Sequence, residues 1–374
     1  MLFRSGDLTL GGRTTPDGKL AFKDKDHTYA NSGLMDSELT DTDPLAGLKA
    51  LAKQVKDAGI KEVHGEVIVD DRYFTKNRGS GSGPDLVTPI IVNDNVVDII
   101  VEPGDKPGAA AKVSTRPETA FFQVDEVVST AAEKTPPEIH VLSIAPNRFA
   151  VRGKIALGSK RLIRIFPVED PASFARTLFI EALRREGVRV QAALVRSTPS
   201  DLPPKSAYDT MKTLATLQSA PFKEAIAITL KVSHNLYAST LPALVAVKRE
   251  RDTVEAGLRE QAKILKELGV DVDSISLGGG AGGTRADFVT PRSTIQLLSG
   301  MMKRSEWDAY KVGLPILGVH GPVPTYASQV GAGVDSLIDR LADGRIVERA
   351  NWSISDAGVF FEPRTPPPEI GRAH

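Results

Sequence analysis

Asp43-Pro44-Leu45-Ala46-Gly47-Leu48-Lys49-Ala50-Leu51-Ala52-Lys53-Gln54-Val55-Lys56-Asp57-Ala58-Gly59 reads as one helix with both of its ends marked. Leu45, Leu48, Leu51, Ala52 and Val55 follow the three–four spacing that gathers apolar side chains on one face. Asp43 suits the N-cap, Pro44 the first turn and Gly59 the stop. The pattern returns further along. Asp170-Pro171 opens a helix over about 171–186 with Phe174, Leu178, Phe179 and Leu183 as its apolar set, Gly187 closes it, and Val188-Arg189-Val190 follows. Helix–glycine–strand therefore occurs twice. Between the copies lie β-like runs at 90–92, 96–101, 121–128, 139–144, 148–155 and 162–166, separated at short intervals by Pro, Gly and Asn. The spacing predicts an α/β domain in two segments, 1–85 and 167–205, interrupted by a small β-rich domain at 86–166.

Outside this frame, 63–71 reads as a strand ending in the paired acids Asp70-Asp71, and the Gly/Ser stretch 78–83 as a boundary or exposed loop. Beyond Pro199, Pro203 and Pro204 the texture turns helical, with helices expected at about 221–230, 236–247, 253–268 and 291–303. A strand-like run at 272–277 leads into a glycine cluster. Past about 324 the pattern weakens, and Arg364-Thr365-Pro366-Pro367-Pro368 suits neither helix nor central strand.

Composition narrows the chemistry. The chain has 374 residues with 47 Lys+Arg against 47 Asp+Glu, a balance that argues against a nucleic-acid groove or a polybasic membrane surface. No apolar run approaches the ~18 residues a membrane span needs. Cysteine is absent, which excludes disulfides, thiolate metal sites and a cysteine nucleophile. The histidines at 27, 64, 140, 234, 320 and 374 show no three- or four-residue spacing, so neither a metal site nor a cofactor is expected. Asp70-Asp71 and Glu169-Asp170 sit at element ends, where caps and turns use acids.

Two segments remain. Gly278-Gly279-Gly280-Ala281-Gly282-Gly283 satisfies G-x-G-x-x-G, but a dinucleotide site needs the loop to open straight into a helix. Thr284-Arg285-Ala286-Asp287 intervenes and the next helix begins near Pro291, so a backbone-exposing loop beside a cleft is the better reading. Ser233-His234-Asn235 lies between helical runs, and its serine and asparagine, two apart, fall on one side of a turn. Capping of the helix beginning near Leu236, by Ser233 or Asn235, competes with a functional role.

Taken in order, Gly6-Asp7-Leu8, Asp57-Ala58-Gly59-Ile60, Val63-His64-Gly65-Glu66-Val67 with Asp70-Asp71-Arg72-Tyr73-Phe74, Val92-Asn93-Asp94-Asn95 and Ser233-His234-Asn235-Leu236-Tyr237-Ala238 form a recognisable series. The glycine loop with Arg285-Ala286-Asp287, and Leu314-Pro315-Ile316-Leu317-Gly318, complete it. The series resembles the D-alanyl-D-alanine carboxypeptidase/endopeptidase family, the class C low-molecular-mass (type-4) penicillin-binding proteins, over about 5–323. The resemblance implies an α/β (α+β) fold in which 206–323 is part of a penicillin-binding/β-lactamase-like catalytic domain, preceded by the interrupted α/β domain with its β-rich insert; 324–374 is a divergent tail.

It implies a serine acyltransferase that acts on peptidoglycan stem peptides in the periplasm or cell envelope, without a cofactor, and binds β-lactams in intact homologues. The family's S-x-N element maps onto Ser233 and Asn235, the first shuttling a proton and the second holding substrate. His234 between them is expected to pack or point away. The nucleophile's Ser-x-x-Lys and the carboxylate-binding Lys-Thr-Gly occur nowhere in the sequence. A chain truncated or frame-altered at its ends, inactive alone and exposing apolar surface on its catalytic part, is the resulting expectation. The alternative is a non-catalytic envelope module that binds peptidoglycan or a partner.

Overall fold

The computed structural model describes residues 1–32, 36–199 and 202–316, and the two strands 351–355 and 358–362. The chain opens with β1 (Leu2–Arg4), a long loop containing a 3-10 turn at His27–Tyr29, and α1 (Ala46–Asp57). Four short strands follow: β2 (Glu62–Val63), β3 (Ile68–Asp70), β4 (Asn77–Arg78) and β5 (Leu86–Val87). The β-rich part holds β6 (Val96–Glu102), β7 (Lys112–Arg116), β8 (Gln123–Ala131), β9 (Glu138–Ala145), β10 (Arg148–Ala156) and β11 (Leu162–Pro167). Then come α2 (Pro171–Arg185), β12 (Arg189–Val190), α3 (Phe222–Lys231), α4 (Asn235–Val247), α5 (Val254–Glu267), α6 (Pro291–Met301), α7 (Trp307–Gly313), β13 (Asn351–Ser355) and β14 (Gly358–Glu362).

The two helix–glycine–strand copies come together. β12 pairs in parallel with β2, Arg189 opposite Glu62 and Val190 opposite Val63, and α1 packs on α2. Only α2 starts as expected: α1 has Leu45 at its N-cap without a side-chain cap, so Asp43 and Pro44 form the turn before the helix rather than its cap and first turn. The Asp43 carboxylate accepts from the Leu45 amide at 2.9 Å, and Asp170 accepts from Ser173 at 3.1 Å with Pro171 in the first turn. β11–β6–β7 is an antiparallel sheet. β10 is the middle strand of a second sheet, parallel to β8 and antiparallel to β9.

One apolar core runs from Phe3 through α1, β6, β8 and β10 to α2 and Ala192. A second joins Leu8, Leu20, Phe74, Val87 and Ile91 to Ile228, Leu236, Tyr237, Ala243 and Val254, so the helical part is cemented to loops from the first third of the chain. Phe222, Phe288 and Val312 of the helical part are exposed, as are Val127 and Leu142 on the β-rich part.

The structure corrects several expectations. The strand read over 63–71 is two pieces, because Gly65 turns the chain at φ +78° and only β3 goes on to pair with β1. Residues 90–92 are buried loop, leading into the Asn93-Asp94-Asn95 turn. β7 was missed because Lys112-Val113-Ser114-Thr115-Arg116 carries little apolar signal; its backbone pairing with β6 makes it a strand. The run at 272–277 is a 3-10 turn and a single bridge, Ser276 to Phe288. α7 was also unforeseen, and β13 and β14 pair antiparallel inside the stretch read as a tail; 364–368 lies outside the described residues.

Arg176 ties together segments that precede and follow the β-rich part. Its side chain in α2 has no exposed surface. It donates to Val67 O at 2.9 Å before the β-rich part, and to Ala193 O and Leu194 O at 3.0 and 3.2 Å after it. Glu66 completes the set at 2.8 Å. A fully buried arginine persists only with such partners. Arg176→Ala, which strands Val67 O and Ala193 O while Thr177 still serves Leu194 O and Arg196 still pairs with Glu66, is expected to cost about 3 kcal/mol or more of unfolding free energy. Urea unfolding followed by circular dichroism measures it; a loss below 1 kcal/mol would contradict the role.

Candidate active site

The link between α3 and α4 is a tight reversal. Ser233 adopts φ +58°, the His234 amide returns to Thr229 O at 3.0 Å, and α4 begins at Asn235. His234, fully buried, takes the N-cap: its Nδ1 accepts from the Tyr237 amide at 3.3 Å, and its ring stacks on Tyr237 with centroids 3.7 Å apart. Capping is therefore done by neither Ser233 nor Asn235. Ser233 is exposed and Asn235 half-buried at its side.

Three loops converge on this turn. The Tyr29 hydroxyl donates to Ser233 O at 2.6 Å, and Asn235 Nδ2 reaches the Tyr29 hydroxyl at 3.3 Å and Ser82 O at 3.5 Å. The Gly/Ser stretch is thus packed against α4 rather than looping free. Gly81 sits at φ +95°, where a Cβ would stand 2.3 Å from Asn235 Cγ. The glycine cluster docks on the next turn of the helix: a Cβ at Gly280 would lie 1.8 Å from Ala238 O. Pro242, four residues on, has no N–H to give that carbonyl, so the helix surface there is backbone, and only a bare glycine approaches it. The cluster is closed by Asp287, which accepts from the Gly278 and Thr284 amides at 2.8 Å each. No helix opens from it, since α6 starts at Pro291; the dinucleotide geometry is not present.

Beneath the turn lies a buried ionic network. Asn93, Asp94 and Asn95 have φ of +49°, +51° and +54°, a strained run that Asn and Asp tolerate best. Their own side chains hold it: Asn95 Nδ2 donates to Ile90 O, Asn95 Oδ1 accepts from the Val92 amide, and Asn93 Nδ2 donates to Val96 O. Asp94, so aimed, accepts from Arg13 Nη2 at 2.6 Å, His27 Nε2 at 2.7 Å and the Tyr237 hydroxyl at 2.5 Å. His27 Nδ1 meets Asp98 at 2.6 Å, and Arg13 Nη2 meets Asp26 at 2.8 Å. Arg13 Nη2 and His27 Nε2 are 3.3 Å apart; both are donors, brought together by the carboxylate they share.

Burial opposes the charges of His27, Asp26 and Asp94, and pairing outweighs it. Despite desolvation, Asp98 and Asp26 push His27 up to about 10. Arg13 and His27 hold Asp26 down to about 2, and Arg13 keeps Asp94 well below the usual carboxylate range. Burial, with Asp94 next to it, raises the Tyr237 phenol, which stays a donor. His234 Nε2 lies 3.7 Å from Asp94, buried and without a hydrogen-bond partner.

None of Arg13, Asp26, His27, Tyr29 or Tyr237 stood out as functional in the sequence. The available signal was Asn93-Asp94-Asn95, three residues tolerant of left-handed backbone in a row. Of the acid pairs, Asp70 binds Arg72 and Tyr208, Asp71 pairs with Lys76, and Asp170 caps α2, so a structural role accounts for these three. Among the described residues no group of His, Asp and Glu is arranged to hold a metal, and no helix is long and apolar enough to cross a membrane. His320 and His374 lie outside the described residues.

Solved structures share this fold. Penicillin binding protein 4 (dacB) from Haemophilus influenzae superposes with a TM-score of 0.60 at 20% identity, over 89% of this chain and 78% of that one. The same protein in complex with a β-lactam gives 0.54 at 22%, over 73% and 60%. The fold is thus the mixed α/β fold of a penicillin-binding protein. The chain belongs to the D-Ala-D-Ala carboxypeptidase 3 (S13) family, which it matches over residues 8–338, a longer reach than the expected 5–323.

It is 24% identical over 293 residues to a D-alanyl-D-alanine carboxypeptidase of Actinomadura sp. (strain R39), covering 74% of this chain and 53% of that protein. To the D-alanyl-D-alanine carboxypeptidase DacB of Haemophilus influenzae it is 23% identical, over 74% and 58%. The chain spans little more than half the length of these relatives.

The network sets a pH profile. His27, raised from 6.5 to about 10, contributes stability fully present below pH 6.5 and lost as pH rises toward 10. Asp26, lowered from 3.8 to about 2, contributes stability present above pH 3.8 and lost as pH falls through 2. Urea midpoints are expected to be highest between about pH 4 and 6.5 and to fall on the alkaline side. His27→Gln should flatten the alkaline fall and cost about 3–5 kcal/mol at pH 6; an unchanged alkaline slope would refute the assignment.

Proposed function

We propose that this chain carries the S-x-N arm of a serine-type D-Ala-D-Ala carboxypeptidase site acting on peptidoglycan stem peptides in the periplasm or cell envelope. The observation that carries the reading is the division of labour in Ser233-His234-Asn235. His234 caps α4 from inside, so the serine hydroxyl stays at the surface and the carboxamide stands where the Tyr29 loop meets the loop of Gly81 and Ser82. In acyl transfer through a serine ester, the nucleophile's proton must reach the leaving amine, and a second hydroxyl beside it can relay that proton. Ser233 has this role. Asn235 holds the peptide chain in register with the reacting carbonyl. Residues 206–323 supply this wall of the catalytic domain. The segments 1–85 with 167–205, and the insert 86–166, act as domains that buttress it through the Asp94 network.

The nucleophile and its base are a different matter. No serine among the 374 residues has a lysine three positions on, and neither Lys-Thr-Gly nor Lys-Ser-Gly occurs. Loss of a nucleophilic serine costs about 10⁶ in kcat in the best-measured triad. This polypeptide by itself is therefore inactive in acyl transfer and forms no penicilloyl ester. Mass spectrometry after incubation with a β-lactam should show the unmodified mass, and a stoichiometric adduct would overturn the point. Non-covalent binding tests the arm itself. Ser233→Ala and Asn235→Ala should each weaken a D-Ala-D-Ala-terminated peptide about five- to tenfold while the melting temperature barely moves, because neither side chain caps α4. Melting losses that match the affinity losses would return both residues to a structural role.

A further inference from the structure

We infer that Tyr29 is a positioning residue for the Ser233/Asn235 arm, setting the direction in which the Asn235 carboxamide faces a ligand; this rests on the reading of that arm given above. Tyr29 is 5% exposed and ends the 3-10 turn that begins at His27. That turn is pinned from both sides: Asp26 accepts from the Thr28 amide and hydroxyl at 3.1 and 2.8 Å, and the His27 ring is clamped between Asp94 and Asp98. The phenol therefore reaches the α3–α4 link from a rigid base.

A phenolic hydroxyl has one proton to give and lone pairs to receive. Here the proton goes to Ser233 O at 2.6 Å, so the oxygen is left to accept, and Asn235 Nδ2 donates to it at 3.3 Å. One oxygen thus brackets the arm, from the carbonyl of its first residue to the side chain of its third. The carboxamide's polarity follows. Nδ2 is turned toward two oxygens, those of Tyr29 and Ser82, and Gly81 lies against the carboxamide, a Cβ there standing 2.5 Å from Nδ2 and 2.6 Å from Oδ1, so the amide is held in one orientation. The bracket also holds Ser233 at φ +58°, a conformation an L-residue leaves readily when nothing retains it.

Tyr29→Phe removes the oxygen and keeps the ring. With ¹⁵N-labelled asparagine, the Asn235 side-chain resonances should move toward free-amide positions, and amide exchange across 233–237 should rise about five- to tenfold. The melting temperature should stay within a few degrees, and the D-Ala-D-Ala-terminated peptide should weaken about as much as in Asn235→Ala. The double variant should bind no worse than the weaker single one, since both act through one carboxamide. Unmoved Asn235 resonances and exchange in Tyr29→Phe would overturn the inference whatever the peptide does. So would an affinity loss in Asn235→Ala that Tyr29→Phe does not share. Changed resonances with a peptide indifferent to both variants would uphold the bracket and sink the functional reading of the arm instead. Should Tyr29→Phe not fold, Asn235→Asp supplies the measurement: a carboxylate cannot donate to Tyr29, and exchange at 233–237 should rise as it does for the loss of the hydroxyl.

Discussion

The carboxylate of Asp94 is the point on which this architecture turns. It receives Arg13 from the first loop, His27 from the 3-10 turn and Tyr237 from α4, so three stretches distant in sequence share one buried acceptor. A carboxylate stripped of water is costly unless its lone pairs are filled by donors, two of them charged here. The Asn93-Asp94-Asn95 turn meets that condition by accepting three consecutive left-handed residues, local strain offset by the bonds it aims. Loss of any one donor leaves the others attracted to an under-filled acceptor. The cluster therefore behaves as a unit rather than as a sum of pairs.

From that anchor the exposed arm follows by short steps. Tyr237 ties the first turn of α4 to Asp94, His234 stacks on Tyr237 and caps the helix, and the residues on either side of His234 are left for the surface. Tyr29, in the same 3-10 turn as His27, closes the other side. Gly81 and Gly280 let two loops come to backbone distance of the same helix end. Precision at this arm is thus borrowed from buried charge beneath it, and the exposed side chains have little to do with holding the fold.

The elements that could be read in the sequence were those whose signal is local. α1 and α2 declared themselves by periodicity, and α2 also by its acid–proline start at Asp170. α3 to α6 fell close to their expected spans, because amphipathic spacing and stop residues act within one or two turns. β7 and α7 escaped, being short and without a strong apolar rhythm, and 63–71 was over-read because Gly65 breaks a run whose side chains look continuous. Ser233 and Asn235 were legible as a pair only through the ordered series of motifs around them. The assignment of the cap to His234 was not, since histidine is a weak cap by propensity and wins here by stacking on Tyr237.

By itself, then, the sequence determined α1 to α6, most of their ends, the duplicated helix–glycine–strand unit and the family pattern in which Ser233 and Asn235 sit. All of these depend on contacts between residues a few positions apart or on the order of short motifs. Only the tertiary structure decided that Arg13, His27, Asp94 and Tyr237 meet, that Arg176 is sealed inside α2's surroundings, and that Tyr29 brackets the arm. The hydrogen-bonded pairs among them are separated by as many as 206 residues along the chain. Their pairing is selected by the energy of burying charge together, a quantity that no local window of sequence contains.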